Sequence, residues 1–196
     1  MDPKEFFFAR YDPLCRRYLD PVWERLNEIQ LRRRPAPTLN SIAWNMWHVA
    51  RAEDVGVNRF VVDRPQVLDD EKWLARLGLD VRHQGTGQTE AEADDTSTRI
   101  KLDALREYGK AVERRTRSVV ETLAPTVFDE TLAPETIHRV LFVEGFAHAN
   151  APWLEQAYTG WSKGKCLIHF ALTHTYQHTG EIAVLGSLQG VDAFGF

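Results

Sequence analysis

Residues 165–188 read Lys165-Cys-Leu-Ile-His169-Phe-Ala-Leu-Thr-His174-Thr-Tyr-Gln-His178-Thr-Gly-Glu181-Ile-Ala-Val-Leu-Gly-Ser-Leu188. At about 100° per residue, Leu167, Ala171, His174, His178, Ile182 and Leu185 fall within a narrow arc. Thr173, Tyr176, Gly180 and Ser187 fall on the far side. The pattern predicts a helix from about Lys165 to Leu188, ended at Gly190, with two histidines in the middle of its inward stripe. By the same projection His169 lies on the opposite face, outside any site built on that pair.

Working outward, the rest of the chain also reads as helices. A first helix is expected from Asp12-Pro13, with Leu14, Tyr18, Val22, Leu26 and Ile29 at helical spacing. Pro21 predicts a kink or restart with Asp20 as cap, and Arg32–Arg34 with Pro35 end the helix. A second helix runs from about Asn40 to Val62. Ile42, Met46, Val49, Val57 and Phe60 line one face; Trp44, Trp47 and Val55 line another, with His48 beside them. Apolar on two sides, it is expected at the centre of the fold.

Residues 63–97 read as an irregular stretch, its second half an exposed loop. A third helix is expected over Ser97–Leu123, followed by a shorter helical piece from Pro134 to about His148. Pro152 and Gly160 then break the chain. Nothing shows strand-like alternation or internal repetition. The expectation is an all-α fold in one domain, residues 1–196.

Composition narrows the function. Of 196 residues, 43% are hydrophobic and 27% charged, as in ordinary globular chains. A net charge of −4 argues against nucleic acid as a partner, because phosphate neutralisation needs a basic footprint. No stretch approaches the roughly 20 apolar residues that span a bilayer, and the N-terminus is no signal peptide. Cys15 and Cys166 stand alone, in no disulfide framework, which fits a reducing compartment and makes the cytoplasm the expected location. A two-fold homodimer would be the commonest assembly for such a chain.

Imidazoles four apart on a helix point the same way, with Cβ atoms about 5–6 Å apart, a spacing that suits two ligands on one metal ion. Two neutral imidazoles buried in an apolar stripe also need partners for their ring nitrogens, and a metal satisfies both. The plainer alternative is a pair of hydrogen-bonded core histidines. His48, on the tryptophan-rich side of the second helix, is the best candidate for a third ligand. His83 lies in a polar loop, and Glu144 with His148 forms a minor alternative pair.

Glu181, three residues after His178, is the candidate acid/base or the carboxylate that orients a ligand imidazole. Arg51 and Asn58 are candidates for lining a pocket, and Trp44 and Trp47 for an apolar wall or plain core. Thr175 stands where the zinc-protease helix motif has glutamate, so a metalloprotease is not indicated.

Two segments together carry a family resemblance: Ser41-Ile-Ala-Trp-Asn-Met-Trp-His48-Val-Ala-Arg-Ala-Glu-Asp, and His174-Thr-Tyr-Gln-His178-Thr-Gly-Glu181-Ile with Leu188-Gln-Gly190 trailing. The chain resembles the DinB/YfiT-like metalloenzymes, which carry one histidine on the second helix and an H-x-x-x-H pair on the last. The resemblance implies a four-helix bundle of up-down-down-up topology with a long loop after the second helix. It implies one divalent ion, nickel or zinc and more distantly iron, on His48, His174 and His178.

It also implies a small-molecule reaction. The first expectation is S-transfer from a low-molecular-weight thiol such as bacillithiol, mycothiol or glutathione. Metal-dependent hydrolysis and a non-catalytic, metal-stabilised binding protein are the alternatives. The region from Phe142 to Gly164 matches no motif of the family.

Overall fold

A computed structural model describes residues 2–195. The fold is all-helical, with no β-sheet among these residues; the single bridge joins Thr131 and Ser162. The first helix starts ten residues earlier than expected. Asp2 caps α1 (Pro3–Pro13), accepting from the Lys4 amide, with Pro3 at its first position.

Asp20 is not a cap. The chain passes through a π-helical turn (Leu14–Leu19) directly into α2 (Asp20–Arg25), and Asp20 is itself helical. A proline forfeits its own amide bond, and the widened turn before Pro21 lets the helix continue past it. The restart comes at Asn27, which forms a capping box with Gln30 at the head of α3 (Glu28–Arg32).

α4 (Ile42–Val55), capped by Ser41, is the central element: all of its fourteen residues are buried. It continues as a π turn (Gly56–Val61) and packs against α3, α7 and α11, introduced below. Residues 63–97 are more ordered than the sequence suggested. They hold α5 (Trp73–Leu77), ended by left-handed Gly78, and α6 (Glu90–Arg99). The acidic stretch is a helix because Thr89 and Glu92 form a reciprocal capping box at its start.

The third expected helix is split. Ile100 is extended and fully buried, separating α6 from α7 (Leu102–Thr122), which buries Leu105, Tyr108, Val112, Thr116, Val119 and Val120 along one face.

The segment 63–84 is tied to α4 by buried polar groups. The Asp54 carboxylate accepts from the amides of Val67 and Leu68 (2.8 and 2.9 Å), from Tyr108 Oη (2.6 Å), from Arg51 (3.2 Å) and from Asn58 (2.8 Å). Arg51 also donates to Gln66 Oε1 and to the Arg82 carbonyl. Arg51 and Asn58 therefore brace the fold rather than line a pocket.

The short piece after Pro134 is α8 (Pro134–His138) with a π turn over Arg139–Val143. It ends before Gly145, whose φ is +76°. Glu144 and His148 are therefore not a helical pair. Glu144 takes a bidentate contact from Arg59 at 2.7 Å, and His148 pairs with Glu92 at 3.2 Å. α9 (Leu154–Tyr158) follows. The last helix begins as α10 (Lys163–Ile168), widens into a π turn (His169–Thr173) and ends as α11 (His174–Ser187).

Candidate metal centre

α4 and α11 lie side by side and bring His48, His174 and His178 together. Their ring centroids are 4.6–4.8 Å apart in each pairing, and one donor atom from each lies within 4.8 Å of the others. His48 and His178 are buried, and His174 is partly so.

Each ring is oriented by its surroundings. His48 stacks on Trp44, one helical turn before it, with rings 14° from parallel and centroids 4.7 Å apart. Its Nδ1–H donates to the Gln84 carbonyl at 2.6 Å. Gln84 is placed there by the Arg51–Arg82 contact and by Gly85. At φ +99°, Gly85 lies so close to Trp44 and Trp47 that a Cβ would come within 2.7 Å of both rings. His178 Nδ1–H is shared between Asn45 Oδ1 (2.9 Å) and Glu181 Oε2 (3.0 Å).

These bonds leave His48 and His178 each with a lone pair on Nε2, the tautomer a metal ligand needs. His48 Nε2 lies 3.0 Å from His174 Nε2. Two ring nitrogens at that distance need a proton or a cation between them. If the proton sits there, on His174, the buried Nδ1 of His174 is left as a lone pair with no partner.

Burial, reinforced by the neighbouring His178, holds His48 down to about 3, although its bond to the Gln84 carbonyl works the other way. Burial, then the His48, His178 and His169 rings, hold His174 well below the usual histidine range. Both are therefore neutral at physiological pH and able to donate lone pairs. Three imidazoles, two with their outer nitrogens anchored, form a donor set that fits a divalent ion of borderline softness.

Residues 14–182 match the DinB superfamily. The chain belongs to the DinB superfamily. This DinB chain matches none of the functionally curated proteins. It is similar to a conserved protein from Enterococcus faecalis known by its crystal structure: TM-score 0.70, 16% identity, covering 96% of this chain and 97% of that one. At that identity the likeness shows a shared fold alone. The DinB superfamily is metal-binding, and in this DinB chain three histidines are placed to hold an ion.

Sequence reasoning missed three contributors. Asn45 lies three residues before His48 on the same helix, a spacing that could have flagged it. Gln84 acts through its backbone carbonyl, so its side chain gives no signal. His169 is the third. Projected to the far face, its ring in fact lies 5.4 Å from that of His174. The π turn His169–Thr173 is the reason, because residues five apart share a face in π register. Burial and Lys165 both lower the pKa of His169. Glu181 lies beside His178, not free in the site.

Proposed function

We propose that this chain is a divalent-metal-dependent enzyme acting on a small molecule, with His48, His174 and His178 as its three protein ligands. The observation that carries this reading is the anchoring of His48 and His178 through Nδ1, which leaves their Nε2 lone pairs free within a cluster whose donor atoms lie within 4.8 Å of one another. Three protein ligands leave coordination positions open, as catalytic sites do and closed structural sites do not.

The ion, nickel or zinc in first choice and iron in second, would supply Lewis acidity toward a thiol or a water molecule. The protein's own groups do the rest. Trp44 and Gln84 fix the His48 ring, and Asn45 and Glu181 fix that of His178. Glu181 is then a positioning residue rather than the acid/base of the reaction.

S-transfer from a low-molecular-weight thiol is the proposed reaction, on the family resemblance. Hydrolysis and non-catalytic metal binding are the competing readings. We take residues 1–196 as one domain acting in the cytoplasm, with a homodimer as the proposed assembly, the commonest for such chains.

Elemental analysis of the purified protein tests the site. About one ion per chain is expected in the wild type and a strongly reduced content in His174→Ala. Absence of metal, and indifference to added zinc or nickel, would leave three hydrogen-bonded core histidines instead. A turnover screen of the metal-loaded protein with glutathione, mycothiol and bacillithiol against a panel of electrophiles tests the reaction. Stoichiometric metal with no turnover on any thiol favours hydrolysis or the non-catalytic reading.

A further inference from the structure

The π turn at His169–Thr173 places a fourth imidazole beside the three. Were the helix regular there, His169 would point about 140° away from His174. Instead the two rings lie 5.4 Å apart. His169 does not belong to the ligand cluster itself. Its ring packs against Trp161 and Phe170, each at 4.9 Å, and among the described residues neither ring nitrogen has a hydrogen-bond partner.

Lys165 stands behind it. Its ammonium lies 4.2 Å from the centre of the Trp161 ring, and it forms no ion pair among the described residues. An imidazole N–H donor without an acceptor thus lies beside the candidate centre, and a cation without a counter-ion lies one helical turn behind it, against the same Trp161 ring.

We propose that His169 and Lys165 form an anion-binding edge of the three-histidine site. The small molecule it takes then carries an anionic group, such as a carboxylate or thiolate, that this edge recognises. The inference rests on the metal reading above and adds to it a class of substrate. His169 acts as a hydrogen-bond donor in its neutral form, and Lys165 supplies a screened positive field. The plain alternative is that His169 only fills an aromatic cluster, in which case phenylalanine would serve as well.

The test uses the cobalt(II)-loaded full chain, titrated with azide and followed by the visible cobalt spectrum. His169→Phe keeps the aromatic packing and removes the donor. His169→Asn restores a donor. Lys165→Met keeps the apolar stem and removes the charge.

Cobalt uptake is expected to be unchanged in all three variants. Azide should bind about tenfold more weakly to His169→Phe, as for loss of a hydrogen bond to a charged group, and less weakly than that to His169→Asn. Lys165→Met should cost roughly threefold at low salt and little at high salt.

Azide affinity unchanged in both His169→Phe and Lys165→Met overturns the proposal. Loss of cobalt in His169→Phe also overturns it, by making His169 a ligand. A wild-type protein that takes up no cobalt removes the metal reading, and this inference with it.

Discussion

Glu53, five residues beyond His48 on α4, is a buried carboxyl with its own energetic consequence. The Tyr11 hydroxyl donates to it, tying α1 to α4. Burial pushes its pKa from 4.5 up to about 7; the Thr116 and Tyr11 hydroxyls pull it down, and Glu113 and Asp54 push it further up. Between pH 4.5 and 7 the folded state therefore binds more protons than the unfolded one, and stability falls as pH rises through that window. The loss attributable to this one group approaches about 3 kcal/mol above pH 7. Glu53→Gln, which still accepts from Tyr11, should be more stable than the wild type at pH 8 and show a flatter slope from pH 5 to 8. Urea midpoints at the two pH values check this, and equal slopes in the two proteins would refute it.

The residues that orient His178 support a second prediction at this scale. Asn45 and Glu181 accept from the same Nδ1–H. Removing either leaves the other in place, so Asn45→Ala and Glu181→Ala should each weaken zinc or nickel binding about tenfold. The double variant should lose about a hundredfold, the upper range for such outer contacts. Competition with a chromophoric chelator measures it. A double variant that binds as tightly as the wild type would show that the ring needs no such anchor.

Elements differ in how far the sequence exposes them. α7 and α11 are legible because burial of one side imposes an apolar stripe of period 3.6, with the His174–His178 pair on that of α11, and α4 because it is apolar on two sides. His48 was suggested by its tryptophan neighbours and chosen on family resemblance; the stacking on Trp44 gives that choice a physical basis. The capping box of α6 was readable as Thr89-x-x-Glu92, but the acidic composition around it read as a loop.

The π turns left no trace, since a one-residue change of register alters neither composition nor polarity. His169 was misplaced for that reason, and so was the start of α2.

Two of those turns meet where Gly56 faces Phe170: a Cβ at Gly56 would stand 2.2 Å from the ring. That contact seats the end of α4 on the turn that presents His169. Gly56→Ala should destabilise the protein by about 2–3 kcal/mol through overpacking. A urea midpoint within error of the wild type would mean that the two turns separate without cost.

At the scale of the molecule, the candidate centre joins positions 126 residues apart, from His48 on the central helix to His174 at the start of the last. An ion held there binds the folded chain and has no preformed site in the unfolded one, so its binding free energy adds to stability. With free metal at about a thousand times Kd, the contribution is about 4 kcal/mol. For a chain of this size each kcal/mol moves the Tm by about 2–4 °C, so stripping the metal should lower the Tm by roughly 10 °C.

The direction of that shift separates two roles the histidines can play. If they are hydrogen-bonded core residues, chelator leaves the Tm unchanged, and His174→Ala destabilises the protein equally with and without metal. If they hold an ion, the wild type loses its extra stability in chelator and regains it on adding zinc or nickel, while His174→Ala responds to neither. Calorimetric melts of both proteins in chelator and in excess metal decide the matter. A Tm independent of metal in both would leave the buried, unpartnered His174 Nδ1 as an uncompensated cost of the fold.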